Sequence, residues 1–365
     1  MKQWLETREV LDRLAELLED GKGAALATVV GVRGSAYRRE GAKMLVAEDG
    51  SSTGNVSGGC LEADVREVAL RVLGSGAAEL RSLCGGPVVG AGWDGGGGCE
   101  GQVEGLVERR PRARAAAREL LDGEVPFASC WELARPAPRL VLTRSGARGS
   151  LDGGALDARV AALARSRLGE EESASAVHAV AGRDVFVDVF TPPPRLVIVS
   201  AGDDARPLAR LAAEIGFRVV VVDRRPALLT PERFPGAREL VTARPEELAR
   251  RVAPGADTYA VVMTHNYVDD RAYLGALAAT PVRYIGMLGP RQRTERIRSE
   301  LAREGPVEEA PVHGPVGLDI GADGPEQVAL SALAEILAVR SGRRPVPLRE
   351  RTRPIHVPSG AHGGG

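Results

Sequence analysis

Lysine is nearly missing from this chain. Of its 48 basic residues only Lys2, Lys22 and Lys43 are lysines, and arginine supplies the rest. Net charge is nearly missing too: at −1 formally, no global field draws the protein toward nucleic acid or an anionic membrane. No apolar run approaches the ~20 residues that would span a bilayer. The first segment, Trp4 to Asp20, is amphipathic and carries acidic residues throughout, unlike a signal or transit peptide, so a cytoplasmic protein is expected. The four cysteines, Cys60, Cys84, Cys99 and Cys130, form no C-x-x-C pair, which argues against a structural zinc site. There is no G-x-x-x-x-G-K-[ST], no G-x-S-x-G and no H-E-x-x-H. His313, His356 and His362 fall in loops or the tail and point to no chemistry.

What is present begins with Ser57-Gly58-Gly59-Cys60-Leu61-Glu62. Gly58 and Gly59 let the backbone turn tightly and approach a ligand closely. Leu61, Val65, Val68, Ala69 and Val72 are spaced for a helix, which predicts Cys60 in its first turn. There a helix dipole favours an anion and a reactive or metal-ligating thiolate. The competing reading is a small core residue, a common use of cysteine. Gly85 to Gly98 holds eight glycines in fourteen residues, and Cys99 follows it as a second candidate ligand. Cys130, beside Trp131 in an expected strand, reads as silent.

Proline and periodicity divide the chain. At 365 residues it is long enough for two domains. An N-terminal α+β domain is expected over 1–191, a stiff spacer at Pro192-Pro193-Pro194, a Rossmann-like domain over 195–341 and a disordered tail over 342–365. In the first domain, residues 4–20 read as a helix and Ala24–Val30 as a buried strand. Gln102–Val107 and Arg139–Thr143 read as strands, and Ala176–Val180 with Asp184–Phe190 as a hairpin.

After the prolines, strand Arg195–Val199, the turn Ser200-Ala201-Gly202-Asp203-Asp204-Ala205, a helix from Pro207 and a strand ending at Asp223 make a βαβ unit of dinucleotide-binding type. The fold class is therefore α/β, a doubly wound parallel sheet behind an α+β domain. Gly202 stands at the fingerprint's second glycine and Ser200 replaces its first. Asp223 stands where an acid meets ribose hydroxyls. Asp203 and Asp204 crowd negative charge onto the place where pyrophosphate normally rests. Thr264-His265-Asn266 and Gly286-Met287-Leu288-Gly289-Pro290-Arg291 each follow or close an expected strand, which would bring His265, Gly286 and Gly289 to the ligand edge of the sheet. The plain alternative is that these glycines only connect elements and His265 is a satisfied polar residue.

Together these motifs resemble the xanthine dehydrogenase accessory factor family (XdhC/CoxI). The resemblance rests on Gly34-Ser35-Ala36-Tyr37-Arg38-Arg39-Glu40-Gly41-Ala42-Lys43-Met44, on Gly54-Asn55-Val56-Ser57-Gly58-Gly59-Cys60-Leu61-Glu62, on the run 200–208, on Thr264-His265-Asn266, on Gly286-Met287-Leu288-Gly289-Pro290-Arg291, and on Pro315-Val316-Gly317-Leu318-Asp319-Ile320-Gly321. Residues 111–175 match weakly, and Ser200, Asn266 and Pro290 depart from the family pattern. The resemblance implies a cofactor-binding maturation factor rather than an enzyme. Such a protein binds molybdenum cofactor (molybdopterin), supports its sulfuration by a cysteine desulfurase and hands it to a molybdenum hydroxylase apoenzyme. It also implies a homodimer. Cys60 would be the metal contact, with Cys60 near Gly202 and His265 within one chain or across the dimer. The rivals are an NAD(P)-dependent oxidoreductase, with Asp223 on the ribose and His265 as proton donor, and an interaction module with no small ligand.

Overall fold

The computed structural model describes residues 2–34, 36–84, 102–109, 114–169, 174–304 and 309–352. Ser35, the glycine run 85–98 and Cys99 lie outside those residues, as do positions 353–365 of the expected tail. The described chain divides into two compact units, Lys2–Pro192 and Pro193–Glu350.

The first unit comprises α1 (Lys2–Glu19), β1 (Ala24–Arg33), β2 (Lys43–Ala47), β3 (Ser52–Gly54), α2 (Glu62–Ser75), β4 (Glu79–Cys84), β5 (Gln102–Arg109), α3 (Arg114–Asp122), β6 (Phe127–Glu132), β7 (Arg135–Thr143), β8 (Ala147–Gly149), α4 (Ala155–Gly169), β9 (Ala176–Val180) and β10 (Arg183–Phe190). The strands form two antiparallel sheets ordered β3-β2-β1-β5-β4 and β8-β7-β6-β10-β9. β1 shows why both faces of the first sheet are covered. Its side chains alternate with period two. Ala25, Ala27 and Val29 pack against Val65, Val68, Ala69 and Val72 of α2, and Ala24 and Leu26 pack with Leu14 and Leu17 of α1. Helix α2 stops at Gly76, whose φ of 75° and N–H to the Val72 carbonyl form a left-handed cap. The β9–β10 hairpin turns on Ala181 and Gly182, both at positive φ, the backbone of a two-residue type I′ turn. Val30 and Leu106 of the first sheet meet Trp131 and Phe186 of the second.

The second unit comprises β11 (Arg195–Val199), α5 (Ala205–Glu214), β12 (Arg218–Asp223), β13 (Glu239–Thr242), α6 (Leu248–Val252), β14 (Thr258–Val262), α7 (Tyr267–Ala278), β15 (Tyr284–Met287), α8 (Arg291–Leu301), β16 (Val312–His313) and α9 (Pro325–Arg340). Its six strands are all parallel, ordered β13-β12-β11-β14-β15-β16, which is the 3-2-1-4-5-6 order of a doubly wound dinucleotide fold. The expected fold class holds. Runs such as Leu196-Val197-Ile198-Val199 are wholly buried because α5 and α9 cover one face and α6, α7 and α8 the other. The strand order reverses between β11 and β14, so the ligand crevice of such a sheet opens beyond Val199 and Val262.

Candidate functional site

In the first unit, the backbone around the thiol is fixed by a serine and a glutamate. The Ser57 hydroxyl donates to Glu62 at 2.5 Å, and the Ser57 N–H donates to the same carboxylate at 2.9 Å. The Ser57 oxygen also accepts the N–H groups of Gly59 and Leu61, each at 3.1 Å. Leu61 drives into the core at 3% exposure and becomes the N-cap of α2. Cys60 therefore lies just before the N-cap, not in the first turn, and its side chain is exposed. The helix's positive end is answered by its own Glu62 and Asp64. Burial pushes the Glu62 carboxyl up, but the Ser57 hydroxyl and the N–H groups of Ser57, Glu62 and Val56 outweigh it and hold it below its ordinary value. Gly59 has a φ of 117°, open to glycine alone. At Gly58 the exposed Tyr37 ring comes within 3.6 Å of where a β-carbon would stand. Cys130, by contrast, is wholly buried in β6, and burial followed by the charge of Asp188 raises its thiol pKa.

In the second unit, the turn after β11 is closed on itself. Ser200, at 2% exposure, accepts the Gly202 N–H on its hydroxyl at 3.0 Å. Asp223 accepts the Ala201 N–H at 2.8 Å. Its carboxylate also takes the Arg225 N–H at 2.8 Å and that guanidinium at 2.9 and 3.0 Å. Burial raises the Asp223 carboxyl, yet the Arg225 side chain and the two N–H donors leave it below the ordinary carboxylate value. A ribose hydroxyl arriving here would have to displace Arg225. Asp203 is held at 3.0 Å by Arg233, which also donates to the Ala201 carbonyl.

Asp204, the N-cap of α5, reaches across the switch point. Its Oδ2 lies 2.5 Å from Nε2 of His265 in the turn after β14. His265 holds a φ of 59°, a strained conformation for a residue with a β-carbon. Thr264 beside it is tied down by buried Asp270, which accepts its N–H at 3.1 Å and its hydroxyl at 2.5 Å and also pairs with Arg293 of α8. Two cavities adjoin this bridge. A polar one of about 150 Å³ is lined by Ser200, Asp223, Arg225, Thr264, Asn266 and Tyr273. An apolar one of about 220 Å³ lies against α5 and α9, with Asp204 among its walls.

Gly289 follows β15 with a φ of 130°, and a β-carbon there would stand 3.4 Å from the Arg293 side chain. Gly286 lies inside β15, where a β-carbon would stand 2.6 Å from Val316 and 3.0 Å from the Tyr284 ring. Its lack of a side chain serves packing. Among the described residues no group of three or more His, Cys, Asp or Glu is arranged to hold a metal ion, and no helix is long and apolar enough to cross a membrane.

Comparison with known proteins matches two segments of the chain to family models, the XdhC and CoxI family over residues 17–83 and the XdhC Rossmann domain over 196–336. The chain is 35% identical over 337 residues to a protein of Bacillus subtilis (strain 168) named as a probable xanthine dehydrogenase subunit, covering 90% of this chain and 96% of that one. This chain belongs to the XdhC and CoxI family. It is also 27% identical to the molybdenum cofactor insertion chaperone PaoD of Escherichia coli (strain K12), over 91% of this chain and 88% of that one. A crystal structure of a xanthine dehydrogenase from Bacillus halodurans superposes with a TM-score of 0.73 at 28% identity, covering 92% and 96% of the two chains.

Several residues that shape these sites in this XdhC/CoxI chain carry little signal in the sequence. Ser57 and Glu62 stand in the thiol motif itself, and only their five-residue spacing hints that they close a loop. Asp270 and Arg293, on α7 and α8, meet only once the sheet has folded. Arg224 and Arg225 both follow Asp223, and nothing in the sequence tells that Arg225 is the one that pairs with it.

Proposed function

We propose that this chain is an accessory protein that binds molybdenum cofactor as cargo, supports its sulfuration by a cysteine desulfurase and delivers it to a molybdenum hydroxylase apoenzyme. The observation that carries the reading is Cys60, an exposed thiol on a backbone fixed by Ser57 and Glu62. Kinship to a protein named as a molybdenum cofactor insertion chaperone supports molybdenum cofactor as the cargo. Molybdopterin offers dithiolene sulfurs, a pterin and a phosphate. Cys60 supplies a soft ligand to the metal end, and Gly58 and Gly59 keep the approach free of side chains. Cys99 is a second candidate thiol. A cytoplasmic homodimer belongs to the same reading.

A second reading, NAD(P) binding, is favoured by the strand order and by the polar cavity at the end of β12. The closed turn at Ser200 and the acids Asp203 and Asp204 weigh against a pyrophosphate there. The test is co-elution of the purified chain with molybdopterin, NADH or NADPH, repeated with Cys60→Ser. Retention of molybdopterin by the wild type and its loss in a variant with an unchanged melting profile is the expected result. Full retention by the folded variant removes Cys60 from the site, and retention of a nicotinamide nucleotide alone replaces the reading.

A further inference from the structure

The apolar cavity of the second unit has walls of one kind and an opening of another. Leu208 of α5, Val261 and Met263 at the end of β14, Leu288 after β15, and Val328 and Ala329 of α9 enclose about 220 Å³. Met263, Leu288 and Asp204 place it at the carboxyl ends of the strands, beside the switch point, where doubly wound folds take their ligands. Among the residues that line it, one side chain carries charge, the carboxylate of Asp204. That carboxylate is held on one side, since Oδ2 lies 2.5 Å from His265 Nε2. Each carboxylate oxygen has two lone pairs, so the His265 contact leaves acceptor capacity on both oxygens.

An apolar cavity with one carboxylate-bearing residue among its walls selects a narrow chemistry. The occupant needs an aromatic face for the aliphatic walls. Along one edge it needs two adjacent N–H donors to match the two oxygens. A 2-amino-4-oxo heterocycle has both, in its 2-amino group and its neighbouring ring N–H. Nicotinamide presents no such paired edge on its ring.

We propose that this cavity receives the pterin ring of the cargo, with Asp204 accepting the 2-amino and adjacent ring N–H groups and His265 holding the carboxylate in place. The proposal rests on the accessory reading above and adds to it a residue that reads the ring. Asp204 is a specificity residue here and takes no part in a chemical step. The acidity of the turn, which repels a pyrophosphate, is what a pair of N–H donors requires. Guanine carries the same donor edge, so a guanine nucleotide is the other source of this chemistry.

The test measures binding of free pterin, of lumazine (the 2,4-dioxo analogue) and of guanosine monophosphate to the full chain by ligand fluorescence and calorimetry. Lumazine has the same shape but puts a carbonyl where the amino donor was, so it should bind about 10- to 100-fold more weakly than pterin, the value of a lost hydrogen bond to a charged group. Asp204→Asn should erase the preference for pterin over lumazine while the far-ultraviolet circular dichroism stays unchanged. Ala329→Leu, which fills the slot, should weaken both pteridines alike. Equal binding of pterin and lumazine, no pterin binding, tighter binding of guanosine monophosphate, or a preference that survives Asp204→Asn would each overturn the assignment. Retention of intact molybdopterin by wild type is measured in parallel. Retention without ring selectivity defeats this pocket alone, and failure of retention defeats the accessory reading whatever the free pteridines do.

Discussion

His265 and Asp204 stand 61 residues apart in the chain, yet Nε2 of one lies 2.5 Å from Oδ2 of the other, joining the turns that follow β14 and β11. This contact crosses the point where the strand order reverses, with the polar cavity on one side and the apolar cavity on the other. A residue with a β-carbon at φ 59° costs about 1–3 kcal/mol and persists where its surroundings hold it.

His265→Gly should separate strain from use. Glycine adopts the left-handed backbone freely, so the melting temperature should stay level or rise by a few degrees. The Asp204 contact disappears, and molybdopterin retention should fall at least severalfold. A marked loss of thermal stability would mean that the pair serves the fold rather than the ligand.

Ser200 fills the turn that a first glycine leaves open in a dinucleotide fold, and its hydroxyl accepts the Gly202 N–H. Ser200→Gly should free that amide and raise NADH affinity by about tenfold, the worth of one hydrogen bond to a charged group. Fluorescence titration of NADH against wild type and variant checks it. Unchanged affinity would show that Asp203 and Asp204, rather than the serine, keep the pyrophosphate out.

Alkylation by iodoacetamide under native conditions should modify Cys60 and spare Cys130, read by peptide mass mapping. Cys60 is exposed, whereas Cys130 is sealed in β6 with its pKa raised by burial and by Asp188. Ser57→Ala removes the acceptor for the Gly59 and Leu61 N–H groups and should cost about 1–2 kcal/mol in chemical denaturation. A variant as stable as wild type would show that Glu62 alone suffices to close the loop.

The carboxylates of Glu62 and Asp223 are both held below their ordinary values by hydrogen bonds that outweigh burial. A group whose folded pKa is depressed supplies stability that is complete above the unfolded value, about 4, and drains away as pH falls through the folded value. Denaturation midpoints of wild type should therefore fall more steeply below about pH 4 than those of Asp223→Asn and Glu62→Gln. Parallel slopes would exclude these two carboxylates as contributors to acid sensitivity.

The parallel sheet is legible in the sequence because its strands read as continuous apolar runs separated by glycine turns, and because Asp223 closes one of them at the expected distance. The second antiparallel sheet is harder to read. β7 begins at Arg135 and its early positions are largely exposed, so the sequence shows only its second half, Arg139–Thr143, as a strand. Leu61 fits the helical period, which draws Cys60 into the helix on paper, but Leu61 is buried as a cap and the helix starts one residue later. Gly286 illustrates a deeper limit. A glycine that admits Val316 and one that admits a ligand look alike until the neighbour is in place. Asp270 is silent for the same reason, since its partners Thr264 and Arg293 sit on different elements.

One of the chain's three lysines makes a buried pair. Lys43 Nζ lies 2.7 Å from Asp188 Oδ2, with side-chain exposures of 8% and 2%, and links β2 of the first sheet to β10 of the second. Lys43 also donates to the Gly41 carbonyl at 2.9 Å, and Asp188 accepts the Ser175 hydroxyl at 2.8 Å, so both charges are further satisfied. Removing one member leaves the other charged and buried, which typically costs about 3–5 kcal/mol. Lys43→Met should therefore lower the unfolding free energy of the full chain by that amount, read from urea denaturation. Arginine is abundant elsewhere but should not substitute freely here, because its planar fork is larger than the ammonium the site encloses. The double variant Lys43→Met with Asp188→Leu removes both charges and should recover most of the loss. If Lys43→Met alone unfolds no more easily than wild type, the pair contributes nothing net, and the two sheets are joined by their apolar contacts and by the Arg139–Glu108 pair.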